Sequence, residues 1–167
     1  MNWLLKLTPI VAALSLTLAC GDDDDDDDDG GGSAECTGTY TGWTEDELEA
    51  EVSSTGACAG EAAAICANDF SSSAGECGAA CFMATPTDEP AQLVCTLDCM
   101  KEDVDAPPSD ECLGCYIAAV ACARENCLSP CLEDPSGDEC VMCRDEEGCT
   151  SGFFACSGLP APSSGSM

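Results

Sequence analysis

Seventeen of the 167 residues are cysteine, and no other feature limits the possible folds of this chain so tightly. All but Cys20 fall between Cys36 and Cys156, a stretch of 121 residues that holds only 17 Leu, Ile, Val or Phe. That share is about 14%, beneath the roughly 20% at which a highly charged chain stays unfolded. Ordering such a length costs well over ~100 kcal/mol of chain entropy, which so thin an apolar complement offsets poorly. Disulfides are the remedy, each worth roughly 2–4 kcal/mol through the unfolded state, and they persist only in oxidising compartments.

The charge excludes further classes. Thirty-three Asp and Glu stand against four Lys and Arg, with no histidine, for a formal charge of −29. Such a chain repels nucleic-acid backbones and anionic lipid head groups. Without histidine there is no Ser-His-Asp or Cys-His pair, no His-ligated zinc and no C-x-x-C-H haem attachment.

The N-terminus carries Lys6 and then an apolar run from Leu7 to Ala19, broken only by Thr8, Pro9, Ser15 and Thr17. Thirteen residues suit the h-region of a signal peptide and fall short of the roughly 17–25 that span a bilayer. The following Leu16-Thr17-Leu18-Ala19-Cys20 resembles the lipobox of bacterial lipoprotein precursors. That resemblance implies cleavage before Cys20, a diacylglyceryl and acyl lipid on its sulfur and new N-terminus, and anchoring to a membrane of the cell envelope, facing the periplasm or the cell surface. Two chains hold a protein stably where one is marginal. Thr17 and Leu18 stand in the reverse of the family's order, and ordinary cleavage after Ala19 is the alternative. Parity favours lipidation, because removing Cys20 leaves sixteen cysteines that disulfides can exhaust.

Beyond Gly21 come eight aspartates, Asp22 to Asp29, and then Gly30-Gly31-Gly32-Ser33. Nothing there can be buried and neighbouring charges repel, so the sequence predicts a disordered, stretched tether. The expected organisation is a signal peptide at 1–19, the lipidated cysteine and disordered tether at 20–35, a cysteine-rich helical domain at 36–157, and a disordered tail rich in Pro, Ser and Gly at 158–167.

Within the domain the signals are helical. Thr44-Glu45-Asp46-Glu47 reads as a capping box, with Trp43 and Leu48 placed as a hydrophobic staple, and Ser136-Gly137-Asp138-Glu139 reads as a second box. Pro90 suits a first helical position ahead of Leu93, Val94, Leu97 and Val104, and Ser109-Asp110-Glu111 opens another helix through Tyr116, Ile117 and Val120. Alternating strand patterns are absent. The expectation is an all-α fold of four to six short helices arranged as disulfide-rich hairpins.

Cysteines four apart on a helix have Cβ atoms about 5–6 Å apart, too far for the roughly 3.5–4.5 Å of a disulfide. Cys77 and Cys81, Cys95 and Cys99, and Cys127 and Cys131 must each bond outward. In an antiparallel hairpin, partners are symmetric about the turn. Cys77–Cys99 and Cys81–Cys95 centre on Asp88, while Cys115–Cys156, Cys122–Cys149 and Cys131–Cys140 centre on Pro135-Ser136, with Cys127–Cys143 one residue out of step. The result resembles the disulfide-laced helical hairpins of small secreted defence and inhibitor peptides. Cys66–Cys112 and Cys36–Cys58 complete the set. Sixteen cysteines allow on the order of two million connectivities, and a ladder of Cys95–Cys115 with Cys99–Cys112 fits the Pro107-Pro108 turn equally well.

The same residues admit other chemistry. Cys112, Cys115, Cys140 and Cys143 form two CxxC pairs, the outline of a thiolate metal site or a redox pair. Acidic neighbours at Asp110-Glu111 and Asp138-Glu139 oppose thiolate formation. No catalytic residue and no cofactor apart from the lipid emerges; Tyr40, Trp43, Tyr116, Phe153 and Phe154 read as core. The expected role is a non-enzymatic interaction or structural module of the envelope, with a cationic protein or Ca²⁺ as the partners its charge favours and no nucleic acid.

Overall fold

A computed structural model describes residues 34–102, 104 and 106–162. The signal peptide, Cys20, the aspartate run and the last five residues lie outside that range. The described part is all-α, with one 3₁₀ turn at Gly38–Tyr40 and eight α-helices: α1 Glu45–Glu51, α2 Ala62–Ala67, α3 Phe70–Ala84, α4 Glu89–Glu102, α5 Asp110–Asn126, α6 Leu128–Glu133, α7 Asp138–Glu146 and α8 Cys149–Ser157. A lone antiparallel bridge joins Glu35 to Thr44.

Helix starts follow local chemistry. The Thr44 hydroxyl accepts from the Glu47 amide while the Glu47 carboxylate accepts from the Thr44 amide at 2.9 Å, so the first capping box closes as expected. The Ser109 hydroxyl accepts from the Cys112 amide and starts α5. The second box does not form. Gly137 is the cap residue of α7, and the Ser136 amide instead donates to Asp134 Oδ1. A carboxylate two residues back competes for that turn more effectively than Ser136 competes for a cap. Pro90 sits one place deeper than expected, because Asp88 accepts from the Ala91 amide and Glu89 becomes the first helical residue. Val104 lies past the end of α4, packed against the core.

Eight helices replace the expected four to six because three runs are interrupted. Asn68 adopts an extended conformation between α2 and α3, and Cys127, at φ −125° and ψ 25°, separates α5 from α6. Gly148, at φ 75°, turns the chain left-handed between α7 and α8, a conformation open to glycine at little cost.

The longest helix, α5, is the centre of the assembly. α3 and α4 form an antiparallel hairpin against it, and α8 and α7 pack along it from another side. α3 comes close to α5 because Gly78 has no side chain: a Cβ there would lie 2.5 Å from Val120 Cγ1. The core gathers Leu48, Ile65, Phe70, Met100, Leu113 and Tyr116 with several disulfide sulfurs. Phe70, Tyr116, Phe153 and Phe154 form a chain of rings with successive centroids 5.9, 4.6 and 5.3 Å apart. Residues 158–160, expected to begin a disordered tail, instead return to seal it, because Leu159 is buried and the backbone carbonyls beside it find donors. The Ser53 amide donates to Gly158 O, the Cys58 amide to Ser157 O, and the Tyr40 hydroxyl to Pro160 O at 3.0 Å.

Candidate functional site

All sixteen described cysteines are paired. Cys77–Cys99 and Cys81–Cys95 are the rungs of the α3–α4 hairpin, with Cα atoms 5.8 Å apart in both. Cys115–Cys156 and Cys122–Cys149 tie α5 to α8, and Cys127–Cys143 and Cys131–Cys140 clamp α6 and its preceding residue onto α7. These six are the pairs that turn symmetry predicts. The rival Cys95–Cys115 and Cys99–Cys112 ladder is not formed.

Two expected pairs are corrected. Cys36 bonds Cys66, and Cys58 bonds Cys112, in place of Cys36–Cys58 and Cys66–Cys112. The reason is backbone placement in irregular segments, where no hairpin symmetry applies. Residues 36–37 lie against the end of α2, with the Thr37 amide 2.8 Å from Cys66 O. Cys58 is held by Ser157 on one side, while Glu61 Oε1 accepts from the Ser109 amide beside the start of α5. That fixes Cys58 over Cys112.

The four CxxC cysteines are not brought together as one site. Cys112 is bonded to Cys58, Cys115 to Cys156, Cys140 to Cys131 and Cys143 to Cys127, so each sulfur belongs to a different bridge. Among the described residues no group of three or more Cys, Asp or Glu stands close enough to hold a metal ion. No described helix is long and apolar enough to cross a membrane.

What the sequence reading missed is a groove. The α3–α4 hairpin and the α6–α7–α8 layer both pack on α5, and between them lies a concave space of about 780 Å³. Its floor is Tyr116, Ala119, Val120 and Ala123 of α5; α3 lines one wall from Ser71 to Phe82, and Leu132, Val141, Phe153 and Phe154 line the other. The run of Ser, Ala and Gly on α3 leaves the space open. A small-residue stripe beside a heavily cross-linked helix was the available signal. Phe153 and Phe154, read as core, are only half-buried and face this groove.

The groove is apolar at the bottom and charged at its edge. Exposed Glu76, Asp134, Asp138 and Asp145 line it, and none forms an ion pair among the described residues. Of its two cations, Arg124 donates to Glu89 at 2.7 Å and to Gln92 at 2.9 Å. Gln92, only 5% exposed, passes this link to Thr85 O through its amide. Arg144, half-buried, has no ion-pair partner among the described residues. Burial pushes the Tyr116 phenol well above its ordinary range, with the Tyr40 and Asp69 charges adding to it. No family model, curated protein or solved structure matches the chain.

Proposed function

We propose that the chain is the precursor of an exported lipoprotein whose disulfide-stapled domain works as a non-enzymatic interaction module at the cell envelope. Residues 1–19 direct export, Cys20 takes the diacylglyceryl and acyl groups, and the Asp22–Asp29 run holds the domain clear of an anionic membrane surface. One observation carries this reading. The eight bridges consume all sixteen cysteines from Cys36 to Cys156, so the described domain has no cysteine left to pair with Cys20, the seventeenth. In an oxidising compartment an odd thiol is a liability, and thioether formation with lipid removes it.

The charge supports the interaction role. From residue 34 onward the chain carries 25 carboxylates, the 33 of the whole less the eight of the run, against Lys101, Arg124 and Arg144. A surface of that sign attracts cationic partners over roughly a Debye length of 8–10 Å. Disulfide bonding of every CxxC cysteine supports a structural role for those residues over metal or redox chemistry.

Intact-mass measurement of the protein isolated from its membrane, before and after alkylation without reductant, tests the proposal. The expected mass is that of a chain starting at Cys20 with lipid added, unchanged by the alkylating agent. A mature chain starting at Cys20 without lipid, or uptake of alkyl groups, overturns it.

A further inference from the structure

We infer that the groove beside α5 receives an amphipathic, cationic helix from a partner protein, its apolar stripe on the floor and its Lys and Arg side chains at the rim. This rests on the interaction-module reading and names the partner's chemistry.

Three observations converge. The first is shape: α3 lines the groove from Ser71 to Phe82, twelve residues or about 18 Å at 1.5 Å per residue, the length of three helical turns. Three turns present apolar anchors at i, i+3 or i+4, and i+7, which is how a helix fills a groove of this kind. The second is the lining. Phe82, Val120, Val141 and Phe153 are half-buried, while Leu128 and Leu132 at one lip remain 38% and 42% exposed. The third is the charge balance, which selects the sign of the partner. Arg124 is already committed to Glu89, so four carboxylates without an ion-pair partner among the described residues line the groove against the single guanidinium of Arg144. A helix with basic flanks gains four complementary contacts and meets one repulsive one, whereas an acidic helix meets the reverse.

The test uses the mature protein and a labelled 14-residue peptide of Leu and Lys only, with Leu repeating at helical spacing, titrated by fluorescence anisotropy at two salt concentrations. A shuffled peptide of the same composition is the control. The expected result is saturable one-to-one binding of the patterned peptide, at least about tenfold tighter than the shuffled one and weaker at high salt. Replacing Glu76→Gln, Asp138→Asn and Asp145→Asn together weakens it about tenfold, and Leu132→Ser weakens it separately. All four residues are exposed, so the variants fold, and thiol titration checks that they have. Equal binding of the two peptides, or binding untouched by the variants, overturns the inference, as does a dimer in sedimentation that buries the groove against a second copy. Lipid on Cys20 is read by mass in the same sample, so anchoring and groove recognition fail independently.

Discussion

Removing the Cys58–Cys112 bridge is the sharpest probe of how this fold is held. The two residues are 54 apart in sequence, but the other bridges shorten the loop that their bond closes. The path runs nineteen residues from Cys58 to Cys77, crosses to Cys99, and runs thirteen more to Cys112. Closing a loop of about 32 residues is worth roughly 3–4 kcal/mol in the unfolded chain. Both sulfurs are fully buried, so Cys58→Ala with Cys112→Ala leaves a small void that adds to the loss. For a domain of this size the drop in Tm is roughly 10–15 °C, read by far-UV circular dichroism without reductant. The same variant examines the pairing itself. With Cys36 bonded to Cys66, thiol titration of the unfolded variant finds no free thiol. Two thiols per chain, or a Tm within about 3 °C of the parent, refutes both the connectivity and the loop argument.

Other outcomes follow from single contacts. Thr44→Ala removes the hydroxyl half of the capping box, leaving the residue 44 amide to the Glu47 carboxylate, and lowers stability by about 1 kcal/mol in urea unfolding. The Glu47 carboxyl is held below its ordinary value, first by the Thr44 amide and then by the Thr44 hydroxyl. That stabilisation is present above the unfolded carboxylate value and is lost as pH falls through the folded one, so the gap between parent and Thr44→Ala narrows in acid. Gly78→Ala drives a methyl into Val120 and costs about 1–3 kcal/mol, whereas Gly152→Ala, in open space within α8, stabilises by roughly 0.5–1 kcal/mol; urea midpoints give both. Burial raises both tyrosine phenols, so folded protein shows little tyrosinate absorbance as pH passes about 10. Stability is full below the unfolded tyrosine value and declines as pH climbs from it towards the folded one, and a tyrosinate signal near pH 10 without unfolding counts against that burial.

The sequence yields most where geometry is periodic. Antiparallel helices impose a mirror relation on cysteine positions, so Cys81 finds Cys95 and Cys122 finds Cys149 by arithmetic on the turn. Cys36, Cys58 and Cys66 lie in or beside short irregular segments, where partners are set by hydrogen bonds to residues as distant as Ser157. No local pattern carries that information. Thr44 and Ser109 announce their helices because a hydroxyl reaches an amide within one turn; Ser136 fails because Asp134 reaches its amide first. The groove is harder still to foresee. It exists because two layers share α5, and a space between elements leaves only an indirect trace in any one segment, here the small residues of α3.

The dependence on cross-links also sets when this chain folds. On the proposed export route, thiols kept reduced would leave this weakly apolar polypeptide open, the form that a narrow channel can thread. Oxidation after that proposed crossing would then act as the trigger. Its first closures need little searching: Cys131 is nine residues from Cys140 and Cys81 is fourteen from Cys95. The Cys58–Cys112 closure spans the most chain of the eight, so it gains most from hairpins that already draw its two ends together.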